Sequence, residues 1–180
     1  MPDFQSSVVM TYPDGSGAEL TLADVSSTAK TIVRAGADTA AASTLGVAFG
    51  SSRAEGDLVV LGQRPGEWML LGDAGAFVSS LDTSGHVSVI DHTHSRALFQ
   101  LTGAASASLL EKVCSLDWSD AMTPDGAVVS ASIAKVTCDL TRQDVDGMPS
   151  YLIACDRSFG QYLFDALLDA GDEFGIGVAS

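Results

Sequence analysis

Basic residues are scarce in this sequence. Only nine of its 180 positions are Lys or Arg, at Lys30, Arg34, Arg53, Arg64, Arg96, Lys112, Lys135, Arg142 and Arg157. Against 23 Asp and Glu they leave a formal net charge of −14. No cluster of cations exists to neutralise phosphates, which excludes nucleic acid as a partner and an anionic membrane surface with it. Such acidity keeps a protein soluble and is compatible with docking on a basic partner. Long apolar runs are missing too, so no membrane span is expected. The start, MPDFQSSVVMTYPDG, has neither a basic n-region nor an apolar h-region, so no signal peptide is expected. Cysteine is sparse: Cys114, Cys138 and Cys155 lie far apart in sequence, cannot all pair, and read as buried thiols of a reducing cytoplasm.

Catalytic signatures are equally thin. No G-x-S-x-G elbow is present to place a nucleophilic serine. GSGAEL (15–20) starts like a dinucleotide loop but lacks the third glycine and follows no strand, so it reads as a loop. DVDG (144–147) resembles part of a calcium loop, yet Arg142 and Ile153 would stand at ligand positions one and twelve. A hairpin turn fits it better. GIGV (175–178) is too near the end to open a helix.

Hydrophobic residues make up 46% of the chain and charged residues 18%, the balance of one globular domain with a real core. The compact fold is expected to begin within SGAELTLADVSS (16–27), dividing residues 1–25 from a domain over 26–180. KTIVRA (30–35) reads as a strand. DTAAASTL (38–45) reads as a helix capped by Asp38. DLVVL (57–61) and EWMLL (67–71) flank GQRPG and predict strand, turn, strand. Residues 73–81 predict a short helix, 86–91 and 96–102 two further strands, and 102–114 a helix with Leu109, Leu110, Val113 and Cys114 on one face. AVVSASIAKVTCDL (127–140) supplies one long or two short strands, and 150–155 another after a turn at Asp146-Gly147. Asp156 then caps a helix with Phe159, Tyr162, Leu163, Ala166, Leu167 and Ala170 at helical spacing. The fold class is α+β, an antiparallel or mixed sheet with helices on one face.

Four features invite a functional reading. In VIDHTHSRALFQLTG (89–103), His92 and His94 share a strand face and could chelate a metal with Asp91 or His86. No third ligand is fixed by local spacing, and the competing reading, the polar end between two strands, is favoured. Trp68 could stack on a ligand, but a tryptophan inside a strand is more often core. Cys114 and Cys155 sit on apolar faces, where no base would make a thiolate. Asp117, just past a helix end, gains nothing from the local dipole. It caps a turn or serves a ligand, and spacing favours the turn.

Three stretches in register resemble a known family. PGEWMLLG (65–72) is similar to the P-x-E-W-L-L strand of the small gamma subunit of heterotetrameric sarcosine oxidase. VIDHTHSRALFQLTGAASASLLEKVCSLDW (89–118) resembles that subunit's Asp-containing strand, Arg-led strand ending in glycine, helix, and C-x-L-D end. DRSFGQYLFDALLDAGDEFGIGV (156–178) resembles its C-terminal helix. The match covers about three-quarters of the chain, more loosely over 26–61. The wider superfamily is that of the folate-binding aminomethyltransferases, including the glycine-cleavage T-protein, and it implies a domain like their N-terminal one. In those enzymes the equivalent helix ends in T-N-D, whose aspartate approaches the folate, and Asp117 stands at that position.

The resemblance carries departures as well. The transferases have a second half that helps enclose folate and that this sequence does not reach. Their tyrosine-bearing strand is AVVSASIA here, and of their G-G-x-x-D-D hairpin only Asp139 is kept in KVTCDLTRQ. These departures count against a complete folate site. The resemblance therefore implies a non-catalytic gamma-type subunit with no cofactor of its own. FAD, FMN, NAD and tetrahydrofolate are expected in larger partner subunits, chiefly alpha, of a cytoplasmic heterotetramer that oxidises sarcosine and passes the one-carbon unit to tetrahydrofolate. The alternatives are a free-standing tetrahydrofolate-binding or aminomethyl-transfer protein using Asp117, and a metal enzyme built on Asp91, His92 and His94.

Overall fold

A computed structural model describes residues 3–9 and 18–179. In chain order the elements are β1 (Leu20–Asp24), β2 (Lys30–Ala35), α1 (Ala40–Leu45), β3 (Ser52–Glu55), β4 (Leu58–Arg64), β5 (Glu67–Leu71), α2 (Gly75–Ser80), β6 (Val87–Asp91), β7 (Arg96–Gly103), α3 (Ser106–Val113), β8 (Val128–Ile133), β9 (Val136–Arg142), β10 (Ser150–Asp156), α4 (Gly160–Gly171) and β11 (Gly177–Ala179). The class is α+β, but the strands divide into two sheets rather than one. The first has the order β11-β1-β7-β10-β9-β8 and is mixed, because β11 runs parallel to β1. The second, β3-β4-β5-β2-β6, is antiparallel throughout.

Burial sorts these elements into four layers, helix, sheet, sheet, helix. Leu22, Phe99, Leu101, Leu140, Tyr151 and Ile153 of the first sheet pack against Leu109, Leu110, Leu163, Phe164 and Leu167 of α3 and α4. Val33, Val60, Trp68 and Leu70 of the second sheet pack against Ala41 and Leu45 of α1. Between the sheets lie Ile32, Leu61, Met69, Leu71, Leu98, Val128 and Ala154. Side chains alternate across a strand, so β7 sends Ala97, Phe99 and Leu101 to the helices and Leu98 to the other sheet. Both faces are covered, which is why RALFQLT shows so little polar alternation.

Several local expectations need correction. The N-cap of α1 is Thr39, whose Oγ1 accepts the Ala42 N–H at 3.2 Å, and Asp38 stands outside it. Asp156 makes no capping hydrogen bond. It accepts from Arg96 at 3.4 Å instead. A 3-10 turn over Arg157–Phe159 precedes α4 and shifts the helical phase, because it advances three rather than 3.6 residues per turn. The buried stripe is consequently Leu163, Phe164, Leu167 and Ala170, while Phe159 and Tyr162 are half exposed. β1, β3 and β11 are strands that periodicity does not announce, being short or, in the case of SRAE, polar and at an edge. Of the GSGAEL segment, residues 15–17 lie outside the described residues, and Leu20 opens β1. The three cysteines are free and buried as expected, although Cys138 and Cys155 stand directly opposite each other on β9 and β10.

The β8–β9 hairpin turns on Ala134 and Lys135, both with positive φ (46° and 68°). Two positive φ values match the twist of a tight hairpin, but glycine or asparagine adopts them more cheaply. Lys135 is exposed. Lys135→Gly is therefore expected to raise stability by about 1 kcal/mol, read as a higher urea midpoint at unchanged slope. An unchanged midpoint would show that the turn carries no strain.

Candidate functional site

The two histidines of IDHTHSR sit where β6 hands over to β7. Backbone carbonyl and side chain of His92 are both occupied locally. Its carbonyl accepts the Ser95 and Arg96 N–H groups at 3.1 and 3.2 Å, and its Nδ1 lies 2.9 Å from Ser95 Oγ. Asp91 accepts the Thr93 N–H at 2.8 Å. The backbone and hydroxyl of Thr93 together hold the Asp91 carboxyl below its usual range. The His94 ring faces Phe4 at 5.5 Å. His86 stands at the opposite end of β6, where its carbonyl accepts the Gly36 N–H. Among the described residues no group of three or more His, Cys, Asp or Glu converges on a metal-sized space. The segment works as a strand-to-strand turn.

Cys138 and Cys155 are poor nucleophiles. Burial pushes the Cys138 thiol up to about 12 and Cys155 up to about 11, so both stay protonated at neutral pH. Trp68 is core: its ring is buried and its Nε1 donates to Val47 O at 2.8 Å.

Asp117 lies in the exposed loop that follows α3. Its Oδ1 accepts the Ser119 N–H at 2.9 Å, and Ser119's hydroxyl and backbone hold the carboxyl below its usual range. The Asp117 backbone carbonyl accepts Thr123 Oγ1 at 2.6 Å. The turn reading thus describes its bonding. Its neighbour Leu116 has a different environment, because it lines a groove of about 450 Å³ with Phe49, Gln63, Arg64, Val128 and Ser130. That volume is within the range of small-molecule clefts.

A local irregularity of β4 builds this groove. The register against β5 slips between Gly62 and Arg64, leaving Gln63 as the extra residue of a bulge. Bulges re-aim side chains next to sites. Gln63 is only 2% exposed. Its Nε2 reaches Met69 Sδ at 3.5 Å, while its buried Oε1 has no partner. Gly62 lets the preceding loop close in, since a Cβ there would lie 2.2 Å from Ala48 O. Paired bonds from Gly50 N to Gly62 O and from Gly62 N to Ser51 O, each 2.9 Å, fix that loop. It presents Phe49 at 66% exposure.

Beneath the groove runs a chain of charges that crosses both sheets. Glu67 accepts from Arg34 and Arg64, each at 2.6 Å. Arg64 reaches Asp139 at 3.3 Å, and Arg96 reaches the same carboxylate at 2.8 Å. Ser130 Oγ donates to Asp139 at 2.6 Å. The one aspartate kept from the family's hairpin is thus an ion-pair hub. A second cluster pins the loop bearing Asp117: Arg142 donates to Asp120 at 2.5 Å and to Asp144 at 2.8 Å.

A family model, that of the GCVT N-terminal domain, matches residues 51–180. The chain belongs to the GCVT N-terminal domain family. Among solved structures it is similar to a chain of the heterotetrameric sarcosine oxidase from Corynebacterium sp. U-96, in complex with pyrrole 2-carboxylate, at 25% identity. That likeness has a TM-score of 0.77 and covers 89% of this chain and 88% of the other. It also shares its fold with the glycine cleavage system aminomethyltransferase T from Bartonella henselae, at 18% identity and a TM-score of 0.68. There 90% of this chain matches only 48% of the enzyme, so the chain spans about half that protein's length. No curated protein sequence matches the chain.

The GCVT-family chain does not gather its sequence-derived candidates into one place. Asp91, His92 and His94 serve a turn, and Asp117 does not line the groove. As the residues stand, the groove is lined by Gln63, Arg64 and Ser130 among its polar residues and by no carboxylate from Asp117. Nothing in the sequence marks Phe49, whereas the Gly-Gln pair interrupting the apolar run LVVLGQR is a readable sign of the bulge at Gln63. No helix among the described residues is long and apolar enough to cross a membrane.

Proposed function

We propose that this chain is a structural, non-catalytic subunit, of gamma type, in a cytoplasmic sarcosine oxidase-like heterotetramer. Its larger partners, chiefly an alpha-type chain, would carry FAD, FMN, NAD and tetrahydrofolate, oxidise sarcosine and pass on the one-carbon unit. One observation carries the reading. The likeness to a chain of the heterotetrameric oxidase is nearly end to end in both proteins, at 89% and 88%, whereas the aminomethyltransferase is matched over only 48% of its length. The raised thiols of Cys138 and Cys155 and the local bonding of His92 support a chain that leaves the chemistry to its partners.

The test is affinity capture of the tagged chain from its native host, reading the masses and visible absorbance of the eluate. Larger subunits absorbing as flavoproteins are expected. A chain that elutes alone and colourless sinks the reading. A second reading, a free-standing tetrahydrofolate-binding or one-carbon-transfer protein, is favoured by the groove that Leu116 lines beside Asp117. Tetrahydrofolate binding by the isolated chain, lost in Asp117→Ala, would support it in place of the first.

A further inference from the structure

The chain of charges that crosses the two sheets alternates in sign and ends unevenly. From one end it runs Asp156, Arg96, Asp139, Arg64, Glu67, Arg34. Arg96 and Arg64 each lie between two carboxylates. Arg34 has only one, Glu67, which accepts from its Nε at 2.6 Å. Among the described residues the Arg34 Nη1 and Nη2 groups have no hydrogen-bond partner. The next member of the alternation is an anion, and no described residue supplies it.

An open cleft of about 530 Å³ lies at this end of the second sheet, and Arg34, Gly36, Gly66, Gly85, His86 and Ser88 line it. The size suits a small molecule. The strand register brings its polar side chains together. Arg34 stands opposite Ser88 across β2 and β6, and the Gly36 N–H donates to His86 O in the same register two residues along. Opposed residues share a face and successive ones alternate, so Arg34, His86 and Ser88 project from one face of the sheet. The His86 ring and the Ser88 hydroxyl also lack a hydrogen-bond partner among the described residues. No Asp or Glu lines the cleft, although the whole chain carries a formal net charge of −14. Donors from three side chains thus meet in one concavity without an acceptor.

The lining narrows what fits. It holds no Phe, Tyr, Trp, Leu, Ile or Met, so a protein segment would find little apolar surface to bury. A phosphate dianion would bring two charges to one unmatched guanidinium, with the Glu67 carboxylate directly behind it. A carboxylate brings one charge, and its planar pair of oxygens matches the guanidinium fork.

We propose that the Arg34–His86–Ser88 cleft binds the carboxylate of a small organic acid. The carboxylate takes Arg34 Nη1 and Nη2 together, and the His86 ring and Ser88 hydroxyl donate to its remaining lone pairs. Glu67 holds the guanidinium in place through Nε. The site does not depend on the subunit reading.

Acetate is the probe. It is titrated into the isotope-labelled full chain against chloride at equal ionic strength, with backbone amide shifts as the readout. Saturable shifts are expected at Gly36, Gly66, Gly85, His86 and Ser88. Arg34→Leu should weaken binding about tenfold or more. Arg34→Lys should lose most of the same affinity, because an ammonium lacks the fork. His86→Leu leaves every ion pair intact and should weaken binding about threefold. Arg53→Gln removes a guanidinium already paired with Glu55 at 2.7 Å and should bind as wild type does. Arg34 and His86 are exposed, so neither replacement unfolds the chain, and melting curves verify that. Shifts that never saturate, or that persist unchanged in Arg34→Leu, overturn the site. Phosphate binding more tightly than acetate gives the cleft to a phosphate ester and overturns the carboxylate. Cleft amides that respond to acetate in the chain alone but not in its assembled complex give the cleft to an acidic side chain of a partner, and overturn the small-molecule site.

Discussion

Asp139→Ala is expected to cost about 3–5 kcal/mol of folding stability, the usual effect of removing one partner from a buried ion pair. The Asp139 side chain is 5% exposed and takes three donors, from Ser130, Arg96 and Arg64. Arg64 loses little, since it is half exposed and keeps Glu67 at 2.6 Å. Arg96 loses much more. Its side chain is 18% exposed, its Nε is buried without a partner, and without Asp139 it retains only Ala154 O at 3.2 Å and the exposed Asp156 at 3.4 Å. The cost is that of a desolvated guanidinium left with partial compensation. Urea unfolding should show a lower midpoint at unchanged slope. Asp139→Leu combined with Arg96→Met should recover much of the loss, because an apolar pair replaces the charges instead of orphaning one. A loss under about 1 kcal/mol in Asp139→Ala would mean that water reaches Arg96 easily.

How far the sequence discloses this molecule depends on how many layers touch each strand. β2 coincides with KTIVRA and β5 with EWMLL because turn residues bound both runs. The division into two sheets was not legible. A strand buried on both sides, such as SYLIACD, shows no polar alternation and gives no sign of what covers each face. The phase of α4 failed for a local reason, the 3-10 turn that takes Phe159 out of the helix. At the site, Asp117 stands out by its place just past a helix end, its turn follows from spacing, and only the resemblance attaches folate to it. The Gly-Gln pair in LVVLGQR signals a bulge, but which residue it leaves unpaired depends on the register against β5, a relation between strands that no single segment contains.

Lys30 supplies a pH dependence that is separable from the rest of the protein. Its side chain is fully buried at the head of β2, and its Nζ donates to Ser26 O and Thr28 O, each at 2.7 Å. The Phe4 ring of the N-terminal segment lies 5.9 Å from the ammonium. Burial lowers the Lys30 pKa to about 8 although Asp24 and Asp91 pull it up. In the unfolded chain it returns to 10.5. Below pH 8 both states carry the proton, and the folded state bears the full cost of the buried charge. Between pH 8 and 10.5 the unfolded chain holds a proton that the folded one has released, so stability rises with pH through that window. Over 2.5 units, the difference between 10.5 and 8, the gain is about 3 kcal/mol. Cys138, Cys155 and Tyr151 act in the opposite sense above pH 9, since burial raises all three. The wild-type curve alone therefore mixes the two trends. Subtracting the Lys30→Met curve isolates the lysine. The variant leaves the Ser26 and Thr28 carbonyls without their donor, which adds a constant offset and no slope. The difference in unfolding free energy, wild type minus Lys30→Met, should climb by about 3 kcal/mol from pH 7 to 10.5. A flat difference would mean that the amine meets water and that Phe4 does not seal it.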